Sequence, residues 1–138
     1  MSVWRDIAVG RSGGVLVAVQ CEQSNPSRWQ LNVQTATADL WLDLPDHTAV
    51  HQLLRFIEQT HGARFEVRPE MTVGTFCGRP VRFVRNDEDD RYYVTLGPPA
   101  SADDQSEAFL WLEPQQIDAL VECVRLAVRA LDARGEQQ

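Results

Sequence analysis

His47 and His51 stand at i and i+4 on a stretch with helical periodicity, the spacing that puts two imidazoles on one helix face for zinc. Asp43 and Asp46 are near them in sequence, but no His-Glu-x-x-His pattern surrounds the pair and a third ligand would have to come from elsewhere. They read as surface or boundary histidines, and no metal or other cofactor is expected. Asp87, Asp89 and Asp90 resemble part of a calcium loop, yet the glycine and the terminal glutamate that an EF-hand requires are missing, so the cluster reads as a solvated turn. The Gly-x-x-x-Gly spacing at Gly10 and Gly14, repeated at Gly74 and Gly78, lacks the Lys-Ser/Thr of a phosphate-binding P-loop and reads as two hairpin turns. Cys21, Cys77 and Cys123 are widely spaced and form no Cys-x-x-Cys pair, which suits reduced thiols. No Ser/His/Asp or Cys/His constellation assembles with any specificity, so no catalytic residues are assigned and the chain is read as non-enzymatic.

The aromatic residues are more informative. Ala38-Asp39-Leu40-Trp41-Leu42-Asp43 and Ala108-Phe109-Leu110-Trp111-Leu112-Glu113 share an Ala-x-Leu-Trp-Leu-acid pattern. If the leucines face a core, strand alternation turns Trp41, Phe109 and Trp111 to the opposite face, with Gln30, Asn32, Arg82, Tyr93 and Thr95 beside them. Aromatics among Arg, Asn, Gln and Thr on a sheet are what unpaired bases stack and hydrogen-bond on. The same face would equally serve as packed core or as a protein or dimer interface.

The elements that must position these residues follow from periodicity. Strands are expected over residues 6–9, 15–19, 29–33 and 39–43, joined by the glycine-rich turn at 10–14, the loop at 23–27 and the turn at 34–37. A helix is predicted over 48–60, with Val50, Leu53, Leu54 and Ile57 as its apolar stripe and Gly62 past its end. After a connection at 63–69, where Phe65 and Val67 suggest a short extended piece, the order returns: strands over 70–73, 81–85, 91–96 and 109–113. A final helix runs from Pro114 to about Ala133, with Ile117, Leu120, Val121, Val124, Val128 and Leu131 as its stripe. Backward from the Trp motifs, Asp6 to Gly10 matches Glu70 to Gly74, Val17 matches Val81, Val19 matches Phe83, and Arg28-Trp29 matches Arg91-Tyr92. The fold class is therefore α+β, a tandem duplication of a four-stranded antiparallel sheet followed by a helix that covers it. Residues 6–62 and 70–133 form two units of one domain spanning 1–138, and 134–138 form a flexible tail.

This β4-α-β4-α order over residues 6–133 resembles, in topology, the single-stranded-DNA-binding regulator superfold of Whirly proteins, Pur-alpha domains and positive cofactor four. The resemblance implies a sheet surface that holds single strands by stacking, without base chemistry or cofactor. On that reading Trp41, Tyr93, Phe109 and Trp111 stack on bases and Arg79 and Arg82 meet phosphates; whether Arg5, Arg79, Arg82, Arg85 and Arg91 gather into one patch depends on the fold. The Lys-Gly-Lys-Ala-rich stretch of plant Whirly proteins has no counterpart here.

Charge points the other way. The chain of 138 residues carries a net charge of −7, which repels nucleic-acid phosphates on average. Residues 1–64 hold five Arg against six Asp and Glu, and residues 65–138 hold eight against fourteen; every cation is Arg. The alternative is a protein-interaction or assembly module, an adaptor or an oligomer, presenting the loops at 86–90 and 97–107. No apolar run approaches the roughly 20 residues that span a bilayer. The first residues have no basic region followed by a hydrophobic segment, so a cytoplasmic protein with no membrane contact is expected.

Overall fold

A computed structural model describes residues 3–97 and 107–136. The chain is α+β, with eight antiparallel strands in one open sheet and two helices in the order β4-α-β4-α. The strands are β1 (Trp4–Ser12), β2 (Val15–Glu22), β3 (Trp29–Gln34), β4 (Asp39–Leu44), β5 (Glu70–Phe76), β6 (Arg79–Asn86), β7 (Arg91–Leu96) and β8 (Glu107–Leu112). The helices are α1 (Thr48–Thr60) and α2 (Ile117–Glu136). Neighbours in the sheet follow chain order from β1 to β8. The expected pair of four-stranded sheets is thus one continuous sheet, joined at the middle by the single register pair Asp43↔Thr75.

The turns are tighter than the glycine spacing suggested. Ser12 pairs with Val15 and Phe76 with Arg79, leaving two-residue loops, Gly13-Gly14 and Cys77-Gly78, with all four residues at positive φ. Positive φ at both central positions is the turn whose twist matches that of flanking strands. Gly10 and Gly74 instead lie inside strands, under close backbone approach. A Cβ on Gly10 would stand 2.1 Å from the Ala119 carbonyl oxygen of α2, and one on Gly74 would stand 2.1 Å from that of Asp43. The first contact lets α2 settle onto β1 backbone to backbone, with Ala119, Cys123 and Ala127 buried beneath it.

That contact corrects one expectation. Each helix was expected to cover its own four strands. In the structure α2 packs on β1 and β2, while α1 sits against β5 and α2. Thr60 of α1 meets the Tyr92 hydroxyl of β7 at 2.7 Å, and Phe56 meets the Tyr92 ring edge-on. Apolar periodicity marks which helix face is buried and is silent about which strands bury it. The buried side of the sheet carries Val17, Val19, Leu31, Val33, Leu40 and Leu42, then Val81, Phe83, Tyr92, Val94, Leu110 and Leu112, in one core with both helices.

Helix termini follow local chemistry. Asp46 accepts the Thr48 backbone N–H at 2.9 Å and the Thr48 hydroxyl ahead of α1. These bonds to Thr48, the side-chain one foremost, lower the Asp46 pKa. Gly62, at φ +77°, follows the α1 terminus. Before α2, Pro114–Gln116 form one 3₁₀ turn, and α2 then continues past Ala133 to Glu136. Residues 65 and 67 lie in no strand. The loop expected at 97–107 falls largely outside the described residues, as do 137 and 138. Among the described residues no helix is long and apolar enough to cross a membrane.

Candidate functional site: the outer sheet face

Register places the expected surface residues together on the face away from the helices. Asn32 stands across from Trp41, Tyr93 from Trp111, and Arg82 from Thr95. Trp41 is 47% exposed, Phe109 42% and Trp111 47%, while their neighbours Leu40, Leu42, Leu110 and Leu112 are buried. Phe109 is the extra residue of a β-bulge, between the pairs Val94↔Leu110 and Thr95↔Ala108. Trp41 and Trp111 are therefore surface rather than core.

Around Trp111 the side chains form a closed polar network. Its indole Nε1 donates to Glu113 Oε1 at 3.0 Å, and Arg91 Nε donates to Glu113 Oε2 at 2.9 Å. The Arg91 guanidinium carbon lies 6.0 Å from the Trp111 ring centroid, a cation–π contact. The Tyr93 ring lies 6.3 Å from that of Trp111, and its hydroxyl donates to Asp89 Oδ2. Hydrogen bonds to Tyr93, foremost, and to Glu113 raise the Arg91 pKa. Glu113 is also fixed through its backbone N–H, which donates to Gln116 Oε1 at 2.9 Å.

The surface around Trp41 differs. Asp39 and Asp43 flank it on the same strand face, and all three are exposed. Asp39 accepts the Asn32 amide at 2.8 Å and the Gln34 amide at 3.4 Å. Asn32 and Gln30 are buried on this face, Gln30 donating to Gln20 and Gln20 in turn to Asp6 at 2.8 Å. The Asp43 carboxylate makes no hydrogen bond or ion pair with another described residue.

The arginines do not assemble as one free basic patch. Arg79 donates to the Gly97 carbonyl at 2.7 Å, and Arg82 pairs with Glu70 at 3.5 Å. Arg91 is held by Glu113 and Asp89. Arg85 turns inward: it is 1% exposed, lies 4.9 Å over the Tyr92 ring and bonds Asp90 at 2.9 Å. Arg5 stands on β1, far along the sheet order from the others. The acidic turn at 87–90 is tied down as well: Asp87 accepts the Phe65 backbone N–H at 2.8 Å, Asp89 that of Arg91, and Asp90 holds Arg85.

The remaining candidates have local roles. His51 faces Asp132 of α2 at 3.2 Å, and the His47 ring tilts on Trp29 at 6.3 Å. Among the described residues no group of three or more His, Cys, Asp or Glu gathers in a geometry that could hold a metal. Cys21 and Cys123 are buried and Cys77 is exposed at its turn. A cleft of about 210 Å³ runs between the β3–β4 turn at Thr35, Ala36 and Thr37 and the strand β8 at Phe109, Leu110 and Trp111, with Glu113 and Gln116 at its end. The sheet thus coils enough to bring β8 beside that turn. The part of this site that periodicity missed is Glu113; the acid two residues after each Trp, on the same strand face, was the available signal. No family model matches the chain, nor does any curated protein or solved structure.

Proposed function

We propose that this chain is a non-enzymatic binding module that takes a protein partner on the outer face of its sheet. The observation that carries this reading is the pairing of three exposed aromatics, Trp41, Phe109 and Trp111, with a surface whose arginines are already engaged. Exposed Trp with polar neighbours is the composition of interface centres. Phosphate binding needs cations at liberty to displace counterions, whereas here Asp39, Asp43 and Glu113 stand within two residues of the tryptophans on their own strand faces. We further infer that the chain is a tandem duplication of one β4-α unit, the two Trp motifs being its corresponding last strands.

Affinity capture with the wild-type chain and with Trp111→Ala as baits tests the reading. A stoichiometric protein partner held by the wild type is expected to be lost with the variant, while thermal unfolding of the two baits stays close. An identical partner set on both baits contradicts it. A second reading, single-stranded nucleic acid held by stacking as the Whirly-like topology implies, draws on the same exposed aromatics together with Tyr93. Saturable binding of a labelled single-stranded oligonucleotide that weakens with salt and exceeds duplex binding would favour it.

A further inference from the structure

Trp111 and Trp41 each have a carboxylate two residues further on the same face, and among the described residues only one of these two constellations is filled by an arginine. In the filled one, Arg91 lies over the Trp111 ring at 6.0 Å and pairs with Glu113 at 2.9 Å. The β7–β8 register, Tyr92↔Leu112, continued by one residue, sets Arg91 beside Glu113. In β3–β4 the corresponding pair is Gln30↔Asp43, so a glutamine stands where the guanidinium stands in the other half. The Gln30 amide turns to Gln20 and leaves Asp43 alone. Arg28, which sequence alignment matches to Arg91, lies two residues earlier and instead bonds Glu22 at 2.7 Å and covers Trp4 at 5.4 Å.

Among the described residues, Trp41 therefore has no cation over its ring and Asp43 has no counter-ion, while Asp39 adds a second carboxylate on the other side. An anion brought here would meet two carboxylates. A guanidinium would meet an indole face and an acceptor for its planar fork, which Arg satisfies better than the compact ammonium of Lys.

We propose that Trp41, Asp43 and Asp39 form a docking position for an arginine side chain on a segment of the partner protein, in the arrangement that Arg91 makes internally with Trp111 and Glu113. The guanidinium stacks on Trp41 and donates to Asp43. The proposal rests on the reading of the outer sheet face as a protein-binding surface and specifies the chemistry that surface selects.

The test is a titration of the ¹⁵N-labelled chain with a blocked Gly-Gly-Arg-Gly-Gly peptide and with its citrulline counterpart, isosteric and uncharged. The readout is the indole N–H resonances of the four tryptophans, with Trp41 assigned from a Trp41→Phe variant. The expected result is a saturable shift of the Trp41 signal with the arginine peptide alone, weakened about tenfold in Asp43→Asn, within the range of a cation–π contact combined with a charge-assisted hydrogen bond. No shift of Trp41, an equal shift with citrulline, or unchanged binding by Asp43→Asn overturns the proposal. A Trp41 signal that moves with protein concentration alone also overturns it, because a second copy then occupies the position. If the peptide fails while Trp111→Ala still loses a captured partner, the arginine position is wrong and the protein-binding face stands.

Discussion

Cys123 shows how strongly a single buried group can be tuned. Its thiol lies against the Ala8 carbonyl oxygen at 3.5 Å beneath α2, and burial pushes its pKa from the ordinary 9.0 up to about 12. The folded state holds the proton more tightly than the unfolded chain. Stability linked to that proton is fully present below pH 9 and is lost as pH rises toward 12, by about 1.4 kcal/mol per pH unit within the window. Urea unfolding between pH 8 and 11 is expected to show a steeper alkaline loss for the wild type than for Cys123→Ala. Parallel profiles would contradict this. Tyr92, whose pKa is raised by burial, is shared by both proteins and cancels in the comparison. At this scale the exposed face was legible: strand alternation alone set Trp41 and Trp111 opposite their flanking leucines. The fate of the arginines was not, because a strand pattern places a side chain on a face without naming its ion partner. Arg85 is buried with its guanidinium over the Tyr92 ring and one bond out to the exposed Asp90, neither of which strand alternation names.

Gly10 decides how the elements meet. Its missing side chain lets α2 lie on β1 with the Ala119 carbonyl where a Cβ would be. Gly10→Ala is expected to cost roughly 3 kcal/mol or more, at or beyond the upper end of ordinary overpacking, because backbone rather than a flexible side chain must give way. Gly14→Ala meets nothing within 4 Å and carries only the strain of φ +80°, about 1–2 kcal/mol. Chemical denaturation of the two variants checks the order, and equal losses would show that the helix does not seat as described. Strand order and the α1 bounds lay within reach of sequence reasoning, since each is set by residues a few positions apart; the glycine spacing marked the first hairpin but set its turn too wide. The placement of α2 on β1 and β2 was not: it depends on Gly10 and Ala119, more than a hundred residues apart, whose contact leaves no periodic trace.

The whole molecule presents two different sides. Helices α1 and α2 close one side of a continuous eight-stranded sheet, and the other side displays Trp41, Phe109 and Trp111 among carboxylates, amides and engaged arginines. The net charge of −7 and the local pairing of Arg79, Arg82 and Arg91 agree in sign, and both disfavour a polyanion on that side. Charge was legible from composition, but its arrangement required the fold. The most direct measurement is photo-crosslinking in the protein's native lysate with p-benzoylphenylalanine placed at position 41, at position 111, or at Leu126 on the exposed side of α2. The account predicts protease-sensitive, nuclease-resistant adducts from positions 41 and 111 and few from 126. Adducts arising mainly from position 126, or adducts from the sheet face that nuclease removes, would contradict it.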